Sequence, residues 1–451
     1  MKILRKYRFT KLEKDDGLGN FLAKASSGTF LLMTFSSGVG YISSIFLAKI
    51  LGVESFGTYS YLLTLLSLVQ IPTEFGLPTL APREVSVYES QQNWKYLRGF
   101  IIWSHIHILI ASVLVGLLFF YFSYRISPEW LISLDNKNLI IIIACLPPLA
   151  VSNLGSAILR GRNKILESQL PITFIKPVLL LTLLILAYWW LGDQFGLLHV
   201  LCSFLFATYI SFLCNLFLVF FNLPQDLRRF SPKYKVKKWL RFATPMVLAT
   251  IMFVINNQMD TVMLGALSNS AEIGVYSISG KLSGLITFVL VAVNMSIGPT
   301  FARLHASGEQ QSLQRLFTKS NRIIFCVSLL IGTFIIMCGP WIFLILGDSY
   351  AIGNSTLIIL SMTNIVNSFF GSVGLLLIMT GYQDWVATSL IVSSIVNFGL
   401  NISMIPIYGS LGAAVATLSS TLVWNLILGC IAYWKLRIVS SPLARGSGSY
   451  R

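Results

Sequence analysis

Charge is scarce in this 451-residue chain: only 11% of its residues are Asp, Glu, Lys or Arg, against roughly 25% in soluble domains. That excludes an ordinary water-solvated globule. Histidine is rarer still, at 4 residues, and the 6 cysteines include no CxxC pair and no histidine partner at metal spacing. A zinc or iron–sulfur motif is therefore missing, and the cysteines, all within apolar runs, read as small packing residues. His105 and His107 are two apart, so a helix turns them to different faces. No metal site and no bound cofactor is expected.

What is present is apolar. Hydrophobic residues make up 55% of the chain and the mean hydropathy is +0.75. Apolar stretches of the roughly 20 residues needed to cross about 30 Å of hydrocarbon recur along the whole length. Twelve are expected, at 26–50, 56–80, 97–124, 138–159, 165–191, 196–221, 239–265, 271–300, 317–346, 354–379, 383–405 and 411–434. The first follows a basic segment but has full span length and no small-residue cleavage site, so it reads as an uncleaved span and not a signal peptide.

The net charge of +16 would suit nucleic acid, but its distribution points elsewhere. Of 33 Lys and Arg, 28 fall at the termini or in, or within a few residues of, the gaps after spans 2, 4, 6 and 8. Positive loops stay cytoplasmic, so the chain is expected in the cytoplasmic membrane with both termini in the cytoplasm. The expected organisation is a basic N-terminal segment (1–25), a six-helix bundle (26–223), a basic linker (224–238), a second six-helix bundle (239–436) and a tail (437–451).

The halves resemble each other. Leu51-Gly52 followed by Phe56-Gly57-Thr58-Tyr59-Ser60 returns as Leu264-Gly265 followed by Ile273-Gly274-Val275-Tyr276-Ser277. The Gly161 turn matches the Gly381 turn, and Gly196 matches Gly412; these two matches and that of Gly57 with Gly274 have offsets of 216 to 220 residues. Six spans is an even number, so the repeats start on the same side and are parallel. Transporters built this way place substrate between the halves.

These turns carry a family resemblance. Leu47-Ala48-Lys49-Ile50-Leu51-Gly52 with Phe56-Gly57-Thr58-Tyr59, then Glu74-Phe75-Gly76-Leu77 with Arg83-Glu84, then Leu159-Arg160-Gly161-Arg162-Asn163-Lys164, and later Asp260 and Gly274-Val275-Tyr276, resemble the polysaccharide and O-antigen flippases of the multidrug/oligosaccharidyl-lipid/polysaccharide exporter superfamily. The resemblance implies an all-α polytopic membrane protein of 12 transmembrane helices, in two six-helix bundles arranged as a V. It implies a substrate made of an oligosaccharide repeat unit on undecaprenyl diphosphate, flipped across the cytoplasmic membrane for O-antigen, capsule or exopolysaccharide synthesis. Polysaccharide polymerase and glycosyltransferases would be its partners, besides membrane lipids; nucleic acid would not. Glu74 departs from the family, which often has Asp there.

Two lysines, Lys176 and Lys281, stand deep inside spans. Lys176 lies 12 residues from the turn at Lys164, about 18 Å deep, and Lys281 lies 10 residues beyond Ala271, about 15 Å deep. A buried charge in a span lines water or meets a partner. An ammonium from each half suits a diphosphate or acidic sugar, making Lys176 and Lys281 substrate-binding candidates; a structural partner within one bundle is the alternative. Arg83, at the cytoplasmic end of span 2, is a third candidate because the resemblance places an arginine there. Glu74, between Pro72 and Pro78, which should kink their helix, is a candidate for coupling to a proton or sodium gradient. Asp260, after Asn256-Asn257-Gln258, is another; a cap or structural bond is the alternative for both acids. Asn397 and Asn401 share a helix face and suit interhelical hydrogen bonds. Arg160, Arg162 and Lys164 suit anchoring to anionic lipid.

No catalytic group is expected, because an integral membrane glycosyltransferase or polymerase needs room outside, and the longest outer gap is only Arg125 to Lys137. Two other transporters of the superfamily compete. A cation-coupled multidrug exporter commonly carries an acid in span 1, which Ser26 to Leu47 lacks, and a lipid II flippase usually has 14 spans.

Overall fold

A computed structural model of the protein describes residues 12–125, 135–224, 227 and 229–442. Most of the basic N-terminal segment, the outer gap at 126–134, Arg228 of the linker and the tail from 443 lie outside the described residues. Within them every regular element is helical. The first part comprises α1 (Leu12–Glu74), α2 (Leu77–Ser90), α3 (Trp94–Arg125), α4 (Asn136–Ala144), α5 (Leu146–Gly161), α6 (Ile165–Gln169), α7 (Lys176–Leu191) and α8 (Leu197–Asn222). There follow α9 (Val236–Leu267), α10 (Ser270–Gly284), α11 (Phe288–Ala306), α12 (Gln310–Leu346), α13 (Gly353–Phe370), α14 (Val373–Met379), α15 (Gln383–Tyr408) and α16 (Ser410–Leu436).

The helices are inside-out by the standards of a soluble protein. On α12 the buried face carries Ser328, Gly332 and Gly339, whereas Leu330, Phe334, Met337, Trp341 and Leu344 are exposed at spacings of three and four. Small residues let neighbouring backbones approach, and large apolar ones face a solvent as apolar as themselves. Among the described residues ten helices are long and apolar enough to cross a membrane, eleven when α13 and α14, bent by 43°, count as one crossing. The expectation of twelve differs from this at the start of the chain. There 31–74 forms one helical run of 44 residues, interrupted at Gly52, whose φ of 73° and ψ of 172° are not helical.

The chain folds into two compact units. One comprises residues up to Ser43, with Leu66–Arg125 and Asp135–Phe253; the other comprises Ser44–Leu65 and Val254 onward. In the first, Leu77, Leu80 and Val85 of α2 pack with Phe100 of α3, Leu154 and Ile158 of α5, and Trp239 and Ala243 of α9. Trp239 is fully buried and its indole N–H donates to the Tyr88 hydroxyl at 3.0 Å. The chain leading into α9 is tied to the same end, since Arg98 donates to the Phe230 carbonyl at 2.6 Å and the Lys233 N–H to the Lys95 carbonyl at 3.0 Å. Arg162 and Glu89 form a bidentate pair, with Nη2 to Oε1 at 3.0 Å. That corrects the lipid-anchor reading for Arg162: the guanidinium joins the turn after α5 to the end of α2.

In the second unit the two copies of the repeated turn meet. A Cβ on Gly57 would collide with the Ser270 carbonyl, and a Cβ on Gly274 would collide with the Val53 carbonyl. Val53 corresponds to Ser270, and Gly57 to Gly274, at one offset of 217 residues, so the contact is reciprocal and self-complementary in the way two-fold interfaces are. Tyr61, Met263, Leu264, Ile273, Ile405 and Ala413 form a buried cluster in the same unit. Gly57→Ala or Gly274→Ala is therefore expected to cost about 1–3 kcal/mol through overpacking, read as a lowered Tm of the detergent-solubilised protein. Gly399→Ala, at a helix position with open space around it, should leave Tm unchanged or raise it, as alanine favours helix. A Gly57→Ala protein melting like the wild type would refute the close contact.

Candidate functional site

Glu74 ends α1 and Gly76 precedes α2, with Phe75 (φ 45°) and Gly76 (φ 68°) both left-handed between them. The expected kink is thus a break, set between Pro72 and Pro78. Gly76 is needed there because its α-carbon backs onto the Ala243 carbonyl and Val247 of α9, leaving little room for a side chain. The break leaves Glu74 facing α5: its Oε1 accepts from Asn153 Nδ2 at 2.7 Å and from Gln70 Nε2 at 2.6 Å. Arg83, one element later, is exposed, with its guanidinium 4.7 Å from the centre of the Phe242 ring.

Lys176 is the first residue of α7, directly after a π-helical turn at Leu170–Ile175. Such turns widen a helix and re-aim the side chains that follow. The ammonium lies 4.3 Å from the centre of the Phe204 ring on α8, a cation–π contact. Among the described residues no carboxylate lies within 4 Å of it.

Lys281 sits late in α10 in the other unit. Its Nζ donates to the Ser44 hydroxyl at 2.7 Å and lies 5.5 Å from the centre of the Phe56 ring. It too has no carboxylate within 4 Å among the described residues. Glu74, Arg83 and Lys176 therefore share one compact unit, and Asp260 and Lys281 the other.

Asp260 is the most fully bonded group of the five. Oδ1 accepts from Asn397 at 3.1 Å and Asn401 at 2.7 Å; Oδ2 accepts from the hydroxyls of Tyr276 at 2.6 Å and Thr417 at 2.8 Å. Four helices, α9, α10, α15 and α16, thus converge on one carboxylate. Asn401 also donates to Asn397 Oδ1 at 3.0 Å, as expected for two amides on one face. The Asn401 Oδ1 is buried and receives no donor.

Tyr276 entered the sequence reading only as part of the repeated turn, and its bond to Asp260 was not anticipated. Thr417 carried no signal at all. Asn153 and Gln70 were also missed, although Gln70 stands one helical turn before Glu74, where side chains meet. The 217-residue offset places Ser43 opposite Asp260 in the first copy, where its hydroxyl bonds the Val39 carbonyl at 2.8 Å. The acid is thus a feature of the second half alone.

The profile of the family described as "Polysaccharide biosynthesis protein" matches residues 22–305, and the MatE family profile matches 245–403. A probable low-salt glycan biosynthesis flippase of Haloferax volcanii is 25% identical over 420 residues, covering 90% of this chain and 82% of the relative. Among solved structures, an inward-facing multidrug-resistance MATE transporter superposes with a TM-score of 0.71 at 14% identity, over 89% of this chain and 95% of the other. A lipid II flippase in an inward closed conformation gives 0.69 at 15% identity, over 92% and 88%. Together with the membrane-spanning helices, these likenesses mean that the chain belongs to the polysaccharide biosynthesis protein family and is a multi-pass, flippase-type transporter of the multidrug/oligosaccharidyl-lipid/polysaccharide exporter superfamily, not an enzyme.

Proposed function

We propose that the protein moves oligosaccharide repeat units linked to undecaprenyl diphosphate from the inner to the outer leaflet of the cytoplasmic membrane by alternating access. The product would feed synthesis of a surface glycan such as O-antigen, capsule or exopolysaccharide, beside a polymerase and glycosyltransferases. The observation that carries this reading is the pair Lys176 and Lys281, an ammonium in each compact unit with no carboxylate within 4 Å among the described residues. An unpaired cation in a span is costly, and an anionic head group would offset that cost. Arg83, exposed beside Phe242, would receive the diphosphate from inside.

The bundles at 26–223 and 239–436 and a count of twelve crossings belong to the same reading. A run of 44 residues reaches about 66 Å, twice the hydrocarbon thickness, and its interruption at Gly52 supports two crossings there. Both termini would lie in the cytoplasm.

Asp260 is the better placed of the two coupling candidates. Hard cations take carboxylate, carboxamide and hydroxyl oxygens, and the Asp260 carboxylate is ringed by side chains of those types, the amides of Asn397 and Asn401 and the hydroxyls of Tyr276 and Thr417. Glu74, with two amide donors, would serve as a proton site.

Two outcomes test this in liposomes carrying a fluorescent lipid-linked oligosaccharide. Lys176→Met and Lys281→Met should each slow translocation about 10- to 100-fold, which is about 1.4–2.7 kcal/mol, with Tm unchanged and partial recovery in the arginine variants. Wild-type rates in both methionine variants would remove the anion-binding role. Asp260→Asn should abolish the response of flux to an imposed sodium or proton gradient while leaving slow exchange intact. Wild-type flux that ignores both gradients would leave Asp260 a structural hub.

A further inference from the structure

The turn Gly192–Gln194 joins α7 and α8 into a hairpin, and a groove of about 410 Å3 runs along it, within the size range of small-molecule sites. Its walls are apolar, including Leu183, Leu186, Trp190 and Phe206. Trp189 and Trp190 are 81% and 86% exposed at the end of a span, where indoles sit at the membrane–water boundary. A crease of this kind in a spanning hairpin is filled by lipid; the question is which lipid.

Two polar groups narrow the choice. His199 lines the groove and its Nδ1 accepts the Gly196 N–H at 3.2 Å, while its ring stacks on Phe195 with centroids 6.2 Å apart. A nitrogen that accepts carries no proton, so the hydrogen resides on Nε2. That N–H finds no acceptor among the described residues. Lys176 lies seven residues before Leu183, two turns down the same face of α7. Its ring partner Phe204 adjoins Ser203, which also lines the groove. The apolar channel thus has an oriented hydrogen-bond donor at its rim and, below its far end, an ammonium with no carboxylate within 4 Å among the described residues. An amphiphile with an anionic, hydrogen-bond-accepting head and a long apolar chain complements that arrangement.

We propose that this groove holds the first isoprene units of the transported polyprenyl lipid after its head group reaches the outer face, with His199 Nε2 donating to a phosphate oxygen. This rests on the translocation reading above, and on the α7–α8 turn lying outside. The groove is a track for the lipid tail, separate from whatever binds the sugar.

The test uses full-length protein in phosphatidylcholine liposomes and a benzophenone-bearing polyprenyl diphosphate. Photo-crosslinks should map to peptides within 183–206 and be displaced by unlabelled polyprenyl diphosphate but not by phosphatidylglycerol. Ala187→Trp, which fills the groove, and His199→Phe, which keeps a ring but loses the donor, should each lower this crosslink about fivefold, a change of about 1 kcal/mol. His199→Gln, which restores an N–H, should retain it. Equal displacement by phosphatidylglycerol, or crosslinks spread over other lipid-facing helices such as α12, would overturn the proposal. If the wild type still translocates the oligosaccharide lipid in that case, only the groove assignment falls. Absence of translocation altogether defeats the parent reading instead.

Discussion

Inside hydrocarbon a polar side chain has no solvent to fall back on, so each one either finds its partner within the protein or awaits one from outside. Asp260 represents the first outcome: every lone-pair direction is met by a donor, from three other helices. Lys176 and Lys281 are met less completely: among the described residues no carboxylate lies within 4 Å of either, and they rest against aromatic rings and one serine hydroxyl. Both kinds of group stand in a fold that otherwise offers small residues to its neighbours and large apolar ones to lipid.

Backbone geometry decides where these groups point. The paired left-handed residues Phe75 and Gly76 end one helix and restart the next, leaving Glu74 against Asn153 and not in a continuing helix. The π-helical turn before Lys176 plays the same part on α7. In both places a proline stands nearby, Pro72 and Pro78 in the first and Pro171 and Pro177 in the second, each removing a helix N–H and loosening the ladder at that point. Irregular backbone in a membrane protein is tolerated where protein buries it, and α5, α8 and α9 supply that cover.

Much of the architecture was legible before any coordinates, because crossing a bilayer needs only length and apolarity, and a twofold repeat leaves its turns in register. The Gly57 and Gly274 motifs were visible as matching letters; that they touch was not, since sequence offset says nothing about distance. The same limit hid the Asp260 cluster. Asn397 and Asn401 advertise a shared face by their spacing, but Thr417 is one of several hydroxyls, with Ser419, Ser420 and Thr421, in a 27-residue span, and nothing in its position singles it out. Arg162 and Glu89 lie 73 residues apart, in turns whose charges look alike until the fold brings them together. Glu74 and the prolines foretold a disruption of the helix, yet only the left-handed torsions show where it falls.

The reciprocal contact at Gly57 and Gly274 has an evolutionary corollary. When two side chains clash, either can shrink to accommodate the other, and a duplicated gene drifts through such exchanges. Here each glycine abuts a carbonyl oxygen of the main chain, and no substitution in the opposite copy can move that atom out of the way. Enlargement on one side has no remedy on the other, so this seam must keep its ancestral form in both halves while the rest of the duplication is free to diverge.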